Sequence, residues 1–150
     1  MKYSLLILFL RFLLGGVFIL AGLLKILDDS LLRDSVAIIL WLPLQIKILI
    51  IDLLPWAEVL MGVGVILAAV PQWHIRLRYI EIPTFLLYLV FLIYAIVGWV
   101  NGQEGDCGCF GSGIGSSFGW VMTLRNTLFV IGSTMILANS FKKKSTPILS

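Results

Sequence analysis

Cys107 and Cys109 stand one residue apart in the stretch EGDCGCFGSGIGSSFG, Glu104 to Gly119, and are the only two thiols of the chain. A pair at this spacing has three chemical uses: a structural clip, a soft-metal site, or a dithiol/disulfide couple. As a clip it achieves little, because a disulfide acts mainly by removing loop entropy and this ring is minimal. Gly108 permits the backbone angles such a ring needs, yet the geometry is tight, and a strained bridge is readily reduced. Redox exchange is therefore the chemistry this spacing favours. Soft metal binding is the rival, since paired thiolates suit Cu(I) or Hg(II) and Met122 follows. No second thiol or methionine cluster marks a path through the chain, however, and the lone His74 lies in a different connection. No resident metal is expected.

The thiols need elements to hold them, and composition says what those are. The 150 residues are 60% hydrophobic and only 13% charged, with a mean hydropathy of +1.06; a soluble domain carries about 25% charge. The apolar runs are long and do not alternate, so the predicted fold class is all-α: a polytopic membrane protein, one domain, a bundle of four transmembrane helices. The predicted spans are residues 4–27, 46–70, 80–100 and 120–140, each long enough to cross ~30 Å of hydrocarbon. The first connection, with LLRDSVAIILWLP, reads as a short interfacial segment. The first span follows Lys2, but it is longer than a signal-peptide core and no cleavage-like site follows, so it is expected to be retained.

Charge sets the expected orientation. Arg76 and Arg78 lie in the middle connection without an acid, Lys142, Lys143 and Lys144 follow the last span, and Lys2 precedes the first. Asp28, Asp29 and Asp34 dominate the first connection, while Glu104 and Asp106 lie in the third with no base. The positive-inside rule then places both termini in the cytoplasm and the cysteine connection on the outer face, where thiol pairs tend to be oxidised. The net charge of +3 comes from these anchors and implies no nucleic-acid partner.

Ionisable residues inside the spans mark the bundle interior. Arg11, Gly15, Gly22 and Lys25 share one face of the first span. The second span carries Asp52, Pro55, Glu58 and Gly62, and the fourth a stripe of Met122, Arg125, Asn126, Phe129 and Ser133. At ~1.5 Å rise per residue, Lys25, Asp52 and Arg125 fall in one layer beneath the cysteine connection, with Glu58 near mid-membrane. The expected ion pairs are Arg11 with Glu58, and Asp52 with Lys25 or Arg125. A cation under the thiols favours thiolate. Bundle-facing glycines serve internal packing or a homo-oligomer equally well.

The segments RFLLGGVFILAGLLK (Arg11 to Lys25), LLPWAEVLMG (Leu53 to Gly62), DCGCFG (Asp106 to Gly111) and Arg125–Asn126 together resemble the DoxX/MauE family of small four-helix membrane proteins, the Cys-x-Cys-Phe-Gly element with the downstream Arg-Asn pointing to the MauE-like branch. By position, Cys107, Cys109, Phe110, Gly111, Arg125 and Asn126 match the family's motif. The resemblance implies a bacterial inner membrane and a redox role: a thiol–disulfide oxidoreductase or redox partner that exchanges disulfides with a thioredoxin-like or substrate protein. By analogy with other four-helix thiol oxidoreductases, electrons would pass to or from a quinone, ubiquinone or menaquinone, without a covalent cofactor. Arg125, Asn126 and Lys25 would then polarise its carbonyl, and Trp120 or Phe129 would pack on its ring. The other readings are a soft-metal transporter and a non-catalytic scaffold for a periplasmic enzyme.

Overall fold

Runs of leucine, isoleucine and valine broken by few polar residues satisfy their backbone only as helices when the solvent is lipid. The computed structural model describes residues 2–37, 39, 42–70, 78–103 and 118–142, and every regular element among them is helical. They are α1 (Lys2–Leu27), α2 (Ser30–Ala37), α3 (Leu44–Leu67), a 3-10 turn (Arg78–Ile80), α4 (Glu81–Val100) and α5 (Trp120–Lys142). Four of these, α1, α3, α4 and α5, are long and apolar enough to cross a membrane. Their outward faces are hydrocarbon: Leu5, Phe9, Leu60, Val90 and Leu128 are all more than half exposed. The buried set, by contrast, includes Arg11, Lys25, Glu58 and Glu81. This is the inside-out distribution of a multi-pass membrane protein.

The bundle is two antiparallel hairpins, α1 with α3 and α4 with α5, joined where α1 meets α5. Around the bundle the order is α3, α1, α5, α4, and the fourth side, between α4 and α3, is packed only sparsely. The α1/α3 seam is closed by glycines. A Cβ on Gly62 would sit 2.5 Å from the Gly15 carbonyl oxygen, and one on Gly22 would sit 2.6 Å from that of Pro55. Small residues here let two backbones touch, which is how helices associate when lipid removes the hydrophobic drive. Pro55 is buried inside α3, so α3 lacks one ladder donor in its interior.

Large side chains fill the diagonal between α1 and α4. Phe18 stacks on Tyr88, with centroids 4.1 Å apart and planes 7° from parallel. The Tyr88 hydroxyl donates to the Leu14 carbonyl at 2.8 Å, and Leu14 and Ile136 complete this cluster. The first connection carries α2, eight residues long, which buries Leu32, Ser35 and Val36. The Asp29 carboxylate accepts from the Arg33 guanidinium at 2.6 Å on its exposed side, which holds that carboxyl below its ordinary range.

Candidate functional site

Among the described residues, two buried ion pairs lie inside the bundle, one toward each end. In the first, Lys25 of α1 bonds to Oε1 of Glu58 on α3, and neither side chain has any exposure. The pairing follows from helix geometry. Side chains lean toward the N-terminus of their own helix. Because α1 and α3 are antiparallel, Lys25 leans toward mid-bundle and Glu58 leans to meet it. The Lys25 ammonium also sits 5.2 Å from the centroid of the Phe91 ring, within cation–π range. Glu58 Oε2 is buried without a hydrogen-bond partner.

In the second pair Arg11 Nη2 lies 2.5 Å from Glu81 Oε1. The same nitrogen donates to Ser140 Oγ at 2.8 Å, and Nη1 donates to the Val65 carbonyl at 3.5 Å. One guanidinium therefore ties α1 to α3, α4 and α5 at once, a use suited to its fork of donors. Both pairs differ from those expected from counting depth. Arg11 takes Glu81 rather than Glu58, Lys25 takes Glu58, and Asp52 stands on the exposed side of α3. Depth counted at the Cα ignores the lean of the side chains, which is the whole difference for Lys25 and Glu58.

Asn126 joins the Lys25 group through one residue: its amide donates to the Phe91 carbonyl at 3.4 Å, while Lys25 lies over the Phe91 ring. Met122 and Ser133 are buried on the same stripe of α5, and Arg125 and Phe129 are half-buried. Phe129 packs on Tyr88, with centroids 5.5 Å apart. Trp120 opens α5 with 64% exposure and does not join this group. The space bounded by Asn126, Phe129, Phe91 and Tyr88 amounts to about 10 Å³, room for about one water and too little for an aromatic ring. Tyr88, Glu81 and Ser140 were not singled out by sequence reasoning. Glu81 did carry a signal, as an acid opening an apolar run just after the basic residues Arg76 and Arg78.

The motif Asp106, Cys107, Gly108, Cys109, Phe110 and Gly111 lies outside the described residues, as does His74. The elements flanking the motif are described. α4 ends in a Schellman turn: Gln103 N–H donates to the Gly98 carbonyl and Gly102 N–H to that of Trp99. Gly102 has φ +62, a conformation only glycine adopts at no cost. On the far side, Phe118 packs its ring edge-on to Tyr94 at 5.4 Å and covers Gly98, where a Cβ would enter the ring. Tyr94 in turn donates to the Ser35 carbonyl of α2 at 3.3 Å. Both ends of the connection that carries the cysteines are thus fixed at the end of the bundle where Lys25, Glu58 and α2 lie.

A second, larger cavity occupies that end. It measures about 160 Å³ and lies among α1, α2, α3 and α4, with an apolar wall. Among the described residues no group of three or more His, Cys, Asp or Glu is placed to hold a metal ion. In comparisons with known proteins, the family described as methylamine utilisation protein MauE matches residues 3–139. No curated protein matches the chain, and no solved structure does.

Proposed function

The chain belongs to the MauE family, and on that premise we propose that it is the membrane partner in a thiol–disulfide redox step of methylamine utilisation. The observation that carries this reading is the Cys107-Gly108-Cys109 pair, the only thiols of the chain, within the segment that matches the family. In forming their disulfide, the two thiols give up two electrons and two protons. A substrate dithiol restores them by exchange: its thiolate attacks the disulfide, a mixed disulfide forms, and the second substrate thiolate displaces the pair in its reduced form. The lipid phase supplies the other half of the cycle. A quinone accepting two electrons and two protons becomes a hydroquinone and regenerates the disulfide. The outer face is the compartment that suits this chemistry, and the acidic first and third connections support that orientation.

Redox-state trapping in cells tests the proposal. Alkylation of free thiols after acid quenching should reveal oxidised and reduced Cys107/Cys109 pools that interchange when quinone is depleted. Cys107→Ser and Cys109→Ser should each abolish methylamine-dependent growth. A pair that never changes state, with serine variants that grow normally, would overturn the reading. Tight Cu(I) binding by the reduced pair with no change of redox state would favour a metal role instead.

A further inference from the structure

The sparse side of the bundle, between α3 and α4, carries the 160 Å³ cavity. Leu54 of α3, Val36 of α2, and Val90, Phe91 and Tyr94 of α4 form its wall, with Lys25 on the α1 side. Val90 is 57% exposed, so the rim lies on the surface that faces lipid. A dry apolar cavity of about 150 Å³ is enough to hold benzene; this one has room for a single six-membered ring, with any chain trailing into the bilayer. Lys25 lends the wall its stem while its ammonium bonds to Glu58. Tyr94 links the cavity to the thiols' connection, because the same ring packs on Phe118.

We infer that this cavity, and not the face of α5 around Asn126 and Phe129, seats the ring of a quinone-class carrier, which enters sideways between α3 and α4 and packs against its apolar wall. The inference rests on the redox reading above and names where its lipid-soluble substrate binds. The space beside Asn126 and Phe129 holds about one water, whereas the α3/α4 cavity combines ring-sized volume, an apolar wall and a lipid-facing rim, and ligand pockets are mostly apolar.

The test is photolabelling of the full chain in lipid nanodiscs with an azido-benzoquinone bearing a decyl tail, competed by duroquinone, with labelled peptides mapped by mass spectrometry. Label should fall on residues 50–54 and 90–94 and be displaced by duroquinone. Val36→Trp, which fills the cavity, should lower that label at least tenfold while circular dichroism stays helical. Competable label on residues 122–129 in the unaltered chain would overturn the cavity site and leave the redox reading standing. No competable label anywhere, with quinone-dependent reoxidation of the cysteines intact, would also overturn the cavity site alone. Loss of both would overturn the redox reading with it.

Discussion

Removing one member of the Lys25–Glu58 pair should cost far more than removing both. Neither side chain is exposed, so salt and water screen little of the attraction. Two unit charges ~4 Å apart at an effective dielectric constant of ~20 attract by about 4 kcal/mol. Lys25→Met leaves a buried carboxylate whose Oε2 has no partner to begin with and whose Oε1 loses its only described one. Stranding a charge in this way costs about 3–5 kcal/mol, a large share of a stability of roughly 5–15 kcal/mol. Glu58→Leu should cost a similar amount by stranding the ammonium. The double variant Lys25→Met/Glu58→Leu replaces the pair with apolar groups and should lie within about 1 kcal/mol of the parent, or above it. Reversible unfolding in mixed micelles titrated with dodecyl sulfate gives all four corners of the cycle. Single losses below about 1 kcal/mol, or losses that simply add in the double variant, would refute the buried pairing and the register of α1 on α3 that brings it about.

Two further outcomes test the packing. Gly62→Val drives a side chain into the Gly15 carbonyl and Ile19, so the same titration should show a loss of about 1–3 kcal/mol or more; Gly16→Val, where a Cβ meets nothing within 4 Å, should be silent. Tyr88→Phe keeps the stack on Phe18 but removes the bond to the Leu14 carbonyl, and should cost about 0.5–1.5 kcal/mol.

Much of the scaffold was legible in the residues because length and hydropathy answer directly to the bilayer. The predicted runs at 4–27 and 80–100 correspond to α1 and α4 within a few residues, and the face of Arg11, Gly15, Gly22 and Lys25 is the buried face of α1. The second run differs at both ends: α3 begins at Leu44, immediately after Pro43, and ends at Leu67, two turns of logic that hydropathy alone does not register, since residues 68–70 are as apolar as those before them. Partners were less legible than faces. Glu81 opens α4, where no periodicity marks it, and finding it against Arg11 requires knowing that α1 and α4 lie across the bundle diagonal. The cavity was not legible at all, because it arises from what α3 and α4 fail to do, namely pack closely on each other along their length.

That failure has a cause in the same charges. Arg11 ties α4 to α1 at one end of the bundle, and Lys25 ties α3 to α1 toward the other. Both acids reach across to the same helix, so α3 and α4 are each positioned by α1 and need no seam of their own. The Phe18–Tyr88 stack props the diagonal open between the two ties. At the Lys25 end, where Phe91 and Tyr94 face Leu54 across the gap, α2 closes the top and nothing from α3 or α4 fills the middle. The ion pair and the cavity are thus one construction: the bond that fixes α3 on α1 also positions one wall of the ring-sized space at that end. A substitution that releases Glu58 from Lys25 therefore acts on the cavity through the position of α3, which is why the apolar double variant, and not either single one, tests the pairing without stranding a charge beside that space.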